Sequence, residues 1–215
     1  VPSPRVLPPF VKQFSVVLPS CSGSERAHLH FRMGRHCALT AIEALDPGSG
    51  LTDLERGPAR FPLWPHGVTG SITHTDGFVS AAVASTSHVR ALGIDTERMF
   101  LPDLEAGVAS VIATPEEMTR AAAGIYSRFE ALTLVFSIKE SIFKCLYPVV
   151  GKFFEFCGVR IVEVDAETNM FRAELATSLS SEFRRGSIVI GRFELNATRV
   201  ATGVCLAADS EAGFR

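Results

Sequence analysis

From Phe129 to Leu146 the chain has almost no polar face to spare. Leu132, Phe136, Phe143 and Leu146 recur at helical spacing, and Ile138 and Ile142 fill positions between them. A helix this apolar must be covered on most sides, so the rest of the chain has to fold around it. Pro148 and Gly151 mark its end. Beyond it, 153–157, 159–165, 169–175, 187–195 and 198–207 alternate as antiparallel strands do. Thr114-Pro115-Glu116-Glu117 supplies a cap, a proline at the first helical position and a glutamate at the third, so a shorter helix starts there.

Upstream, Ser22 and Glu25 have capping-box spacing. Leu29, Met33, Cys37 and Ile42 follow at helical intervals, which predicts a helix over 24–45 stopped by Asp46-Pro47-Gly48. Residues 46–69 are rich in proline and glycine and read as a loop. Short apolar runs at 70–73, 78–84 and 90–97 read as strands joined by turns. The first twenty residues read as a proline-broken extended lead. The expectation is a mixed α+β fold with a lead over 1–23, an N-terminal subdomain over 24–110 and a C-terminal one over 111–215.

Composition narrows the function. Of 215 residues, 47% are hydrophobic and 20% charged, which is globular. A net charge of −2 gives no global field for nucleic acid or an acidic membrane. No signal-peptide or membrane-spanning run is visible. The five cysteines are odd in number and form no CxxC pair, which argues against a disulfide framework or zinc knuckle. A cytoplasmic protein is expected.

Asp95 and Glu97 are two apart, so on a strand both carboxylates leave one face. Such a pair repels unless a cation lies between its members, and magnesium, with its oxygen ligands, suits it. Glu140 and Lys144 are four apart and stack on one helix face. Glu140 would complete a three-carboxylate cation shell, and Lys144 would neutralise a phosphate. Thr73 and His74 could donate to phosphate oxygens. Arg35, with Arg26 and Arg32 nearby, and Arg56 and Arg60 before Trp64-Pro65, offer forks for a phosphate monoester. Each feature alone has a plainer reading: solvated acids at a strand end, a surface ion pair, a turn histidine, solvated arginines.

Together, Gly34-Arg35, Trp64-Pro65, Gly70-Ser71-Ile72-Thr73-His74, Gly93-Ile94-Asp95-Thr96-Glu97 and Phe136-Ser137-Ile138-Lys139-Glu140-Ser141-Ile142-Phe143-Lys144 resemble the 4′-phosphopantetheinyl transferases of the Sfp and EntD type. The resemblance implies two similar α+β subdomains related by a pseudo-twofold axis, with coenzyme A between them. It implies transfer of phosphopantetheine from coenzyme A to a serine of an acyl or peptidyl carrier protein, releasing adenosine 3′,5′-bisphosphate.

The resemblance also distributes roles. Asp95, Glu97 and Glu140 match magnesium ligands, with manganese as a substitute ion. Lys144 matches the lysine at the α-phosphate and Lys139 another phosphate contact. Thr73 and His74 match the pair touching the phosphates, Arg35 lies near the 3′-phosphate, and Arg56 or Arg60 fills a basic position. A basic residue usual eight before Arg35 is Ala27 here, and a glutamate usual five before it is His30. A monomer is implied, with carrier docking on an apolar patch around 108–125. Two other classes fit less well: a non-catalytic coenzyme A or carrier-binding module, and a magnesium-dependent phosphate-ester hydrolase.

Overall fold

The computed structural model describes residues 6–19, 23–57, 61–100, 109–122 and 126–208. In chain order the elements are β1 (Lys12–Val17), α1 (Gly23–Leu45), β2 (Val68–Thr75), β3 (Phe78–Ser85), β4 (Val89–Arg98), α2 (Pro115–Ala122), α3 (Arg128–Val150), β5 (Val159–Asp165), β6 (Met170–Leu175), β7 (Ile188–Leu195) and β8 (Arg199–Ala207). Two antiparallel sheets result: one ordered β1-β3-β2, the other β4-β8-β7-β6-β5. The α+β expectation is met.

α3 begins at a capping box: Ser127 Oγ accepts from the Glu130 N–H at 3.3 Å, and Glu130 accepts from the Ser127 N–H at 2.7 Å. Its stop differs from expectation. Pro148 lies inside the helix, which continues to Val150 and closes at Gly151, in left-handed conformation (φ 63°). Proline in a last turn forfeits one bond, and the Gly151 N–H reaches Tyr147 O at 2.9 Å. α2 starts as expected, with Thr114 and Glu117 in reciprocal capping bonds.

Two other readings are corrected. The N-terminal lead contains β1, which pairs with β3 from Lys12↔Val83 to Val17↔Phe78. Pro9 and Pro19 stand on either side of β1, so the stretch between keeps every N–H for a ladder. Residues 153–157 are not a strand: an irregular segment runs into a 3-10 turn at Phe156–Gly158. Phe154 packs into the core while Phe153 stays 68% exposed. The Ser22 cap lies outside the described residues.

β3 is buried on both faces. Val79, Ala81 and Val83 meet Cys37, Ala38, Ala41 and Ile42 of α1, whereas Ala82 and Ala84 meet Leu92 and Ile94 of β4. The largest core lies where α3 packs on the five-stranded sheet, with Leu132, Val135, Ile138, Ile142 and Leu146 against Phe171, Phe193 and Val204. Each such side chain contributes about 1.5–3 kcal/mol by leaving water. β4 stands at the edge of its sheet, beside β2.

Candidate active site

Gly93 is where the Gly93–Glu97 and Phe136–Lys144 motifs meet. A Cβ there would lie 2.0 Å from Ser141 O and 2.6 Å from Cys145 N, so only glycine lets α3 rest directly on β4. Ser137 adds a polar anchor: its hydroxyl lies 2.9 Å from Thr202 Oγ1, which also donates to Ser137 O at 2.8 Å. Thr202 is the cross-strand neighbour of Asp95. This docking brings Glu140 and Lys144 over the strand that carries Asp95 and Glu97.

Asp95 is 2% exposed. Its Oδ1 accepts from Lys144 Nζ at 2.6 Å and from Thr73 Oγ1 at 3.3 Å. Its Oδ2 is buried with no hydrogen-bond partner, a costly state for a carboxylate oxygen. Burial first, then repulsion from Asp95 and Glu140, pushes the Glu97 carboxyl up to about 8, against the pull of Lys144 and a hydrogen bond from Thr75. Burial, and more weakly Asp95, raises Glu140, while Lys144 opposes them. Three acids therefore share one crowded neighbourhood with a single ammonium.

Their oxygens suit a hard cation in kind, and the partnerless Oδ2 is an open valence for one. Among the described residues no three His, Cys, Asp or Glu side chains already stand close enough together to hold an ion. The Lys144 ammonium sits on Asp95 and supplies the positive charge there.

A groove of about 1080 Å³ opens beside this cluster, lined by His30, Phe31, Arg35, Arg56 and His74 among others. The guanidinium carbons of Arg35 and Arg56 lie 3.8 and 4.3 Å from the centre of the Phe31 ring. Arg35 Nε donates to Leu54 O at 3.0 Å, while its Nη2 is buried without a partner. Burial and the Arg56 charge lower its affinity for its proton, with Asp53 opposing. Two crowded cations, one donor unused, invite an anion. His30 and His74 stack at 4.9 Å. Burial leads in lowering both; next comes Arg26 for His30, and His30 then Lys144 for His74.

The structure thus brings Asp95, Glu97, Glu140, Lys144, Thr73 and His74 to one cluster and sets Arg35 and Arg56 in the adjoining groove. Arg60 lies outside the described residues. Lys139 stands apart from the cluster. Its ammonium turns away from the cluster, donating to Ile112 O at 2.8 Å and pairing with Glu117 Oε1 at 2.8 Å, both side chains 2% exposed. Next to Glu140 in sequence, it leaves the helix about 100° around, toward α2. Thr73 Oγ1 is also engaged, accepting from the Thr96 N–H at 2.9 Å.

The sequence reading passed over Phe31 and Thr75 and took Glu117 only as a helix cap. The alternation Ser71-x-Thr73-x-Thr75 was a usable signal for Thr75. Beside Glu140 and Phe143 lies an apolar pocket of about 460 Å³.

Residues 23–84 match the 4′-phosphopantetheinyl transferase N-terminal domain, and residues 91–204 match the 4′-phosphopantetheinyl transferase superfamily. The chain belongs to that superfamily. Among similar proteins is the 4′-phosphopantetheinyl transferase Svp of Streptomyces mobaraensis, 38% identical over 156 residues that cover 70% of this chain and 60% of Svp. The 4′-phosphopantetheinyl transferase Npt of Nocardia iowensis is 32% identical over 162 residues, 70% of this chain and 68% of Npt. Enterobactin synthase component D of Escherichia coli (strain K12) is 41% identical over 88 residues, 41% of each protein. The chain thus spans well under the full length of most of these relatives.

Proposed function

We propose that this chain moves the 4′-phosphopantetheine group of coenzyme A onto a serine of an acyl or peptidyl carrier protein, leaving adenosine 3′,5′-bisphosphate. The observation that carries the reading is the Asp95–Lys144 contact with Glu97 and Glu140 crowded around it, in a chain of this superfamily. The arginine groove suits the phosphorylated nucleoside end of coenzyme A. The apolar pocket beside Glu140 suits its pantetheine arm.

In this reading the serine oxygen attacks the phosphorus bearing pantetheine, and the P–O bond to the bisphosphate breaks. Glu140 takes the serine proton, directly or through a water: a carboxyl raised by burial is a better base near neutral pH than an ordinary one. Lys144 swings from Asp95 to the departing phosphate and neutralises its growing charge. Asp95, Glu97 and Glu140 would hold a magnesium ion, with manganese as a substitute, whose charge screens the diphosphate. His74 contacts the phosphates. The chain acts as a cytoplasmic monomer; four described cysteines are free, and no described helix is long and apolar enough to cross a membrane. Val111, 66% exposed at the rim of the apolar pocket, is part of the carrier-docking surface.

The test is the intact mass of apo-carrier proteins, drawn from fatty acid, polyketide, peptide and siderophore systems, after incubation with the chain, coenzyme A and magnesium. The reading expects a phosphopantetheine mass increase that EDTA abolishes. Carriers that all stay unmodified would overturn it and favour a binding module. Modification that survives EDTA would remove the metal from the scheme.

A further inference from the structure

Three hydroxyls on one face of β2 line the outer edge of β4. Ser71 Oγ accepts from the Ile94 N–H at 3.1 Å, Thr73 Oγ1 from the Thr96 N–H at 2.9 Å, and Thr75 Oγ1 from the Arg98 N–H at 3.1 Å. Alternate N–H groups of an edge strand point outward and need partners. Here side chains at period two supply them, where a neighbouring strand would supply carbonyls.

This has a directional consequence. A hydroxyl whose lone pair is taken by an N–H has one hydrogen left to place. Thr75 places it on Glu97 Oε2 at 3.2 Å, and Thr73 on Asp95 Oδ1 at 3.3 Å. Ser71 has no carboxylate within its hydrogen bonds. Thr75 is itself buried, and its backbone is fixed by the β2–β3 ladder.

We propose that Thr75 is a positioning residue: its hydroxyl, oriented by the Arg98 N–H, holds the Glu97 carboxylate by one oxygen, so that the other is presented beside Asp95 to a divalent cation. The inference rests on the cation reading given under Proposed function. A glutamate without such a tether must lose its rotamer freedom when it binds, and partners of ligand groups set how well a cation is held. Thr75→Val keeps the shape and removes both bonds. Thr75→Ser keeps both bonds. Ser71→Ala opens the same line of hydroxyls without touching a carboxylate, so it separates orientation of Glu97 from general loosening of the β2–β4 contact.

The probe is Mn²⁺, titrated into the full chain with and without coenzyme A, with the free ion followed by electron paramagnetic resonance and folding by circular dichroism. Thr75→Val is expected to weaken Mn²⁺ binding by about 10-fold or more. Thr75→Ser should bind as the unaltered chain does, and Ser71→Ala should melt earlier with its Mn²⁺ affinity unchanged. If Thr75→Val does not fold, Thr75→Ala is measured in its place. Mn²⁺ binding unchanged in the valine variant, or weakened equally in Ser71→Ala, overturns the positioning role while leaving the cation reading intact. An unaltered chain that takes up no Mn²⁺ in either condition overturns the cation reading, and the positioning role with it.

Discussion

α1 and α3 are each 23 residues long and each lies on an antiparallel sheet, yet they treat charge in opposite ways. α3 is buried on successive positions, including Lys139, and its two interior cations are already paired: Lys139 with Glu117, Lys144 with Asp95. α1 buries only the side facing β1 and β3, and Arg35 keeps a guanidinium nitrogen with no partner. A helix enclosed by its own protein must satisfy its charges internally. One with an open flank can leave a donor waiting for an incoming anion. The cations of α3 are therefore fixed by the fold, whereas Arg35 on α1 keeps a donor that an anion can take.

That contrast can be broken at four points. Gly93→Ala should have the largest effect, about 3 kcal/mol or more, because the added methyl meets backbone atoms of α3 that cannot turn aside. Urea unfolding measures it, and a loss under 1 kcal/mol would show that α3 can lift off β4 cheaply. Next, Lys139→Met should cost about 3 kcal/mol by stranding the buried Glu117 carboxylate, and adding Glu117→Gln should recover part of it. A phosphate-contact role for Lys139 would instead lower coenzyme A affinity at unchanged stability.

Arg35→Met should leave the melting temperature nearly unchanged and weaken binding of adenosine 3′,5′-bisphosphate roughly 10-fold by calorimetry. Unaltered affinity would detach the groove from the nucleotide. The smallest effect concerns pH in EDTA, where the stacked histidines and the acid cluster should titrate in opposite senses. His30 and His74 are harder to protonate when folded, so the unfolded chain binds more protons below the ordinary value of 6.5. Their contribution is whole above pH 6.5 and fades as pH falls. Glu97 is reversed: raised from 4.5 to about 8, it holds a proton longer when folded, and its contribution is lost as pH rises through that interval. His30→Gln should flatten the acid limb of stability against pH, and Glu97→Gln the alkaline limb. Equal slopes before and after either change would contradict the assignment.

The long helices and most strands were legible because burial imposes a period. The reading of 24–45 and 129–146 differs from Gly23–Leu45 and Arg128–Val150 only at the ends. β1 was missed because flanking prolines drew attention from the proline-free run between them. The Phe153–Cys157 error came from the reverse: aromatic residues look like strand, but this run has no partner strand to give it a ladder. At the candidate site, the pairings of Asp95 with Glu97 and of Glu140 with Lys144 were legible from spacing within each motif. Lys139 was not, since the partner that claims it, Glu117, lies on another helix. No local pattern reports which way a lysine leaves a helix when a buried carboxylate competes for it.

The hydroxyls of Ser71, Thr73 and Thr75 have a further consequence for solubility. An open strand edge is a template on which another chain can add a strand, and it invites aggregation. The outer margin of β4 cannot act as one while its amides are occupied by side chains of β2. The same three residues that join the sheets thereby shield the free margin of this strand from self-association once the chain is folded.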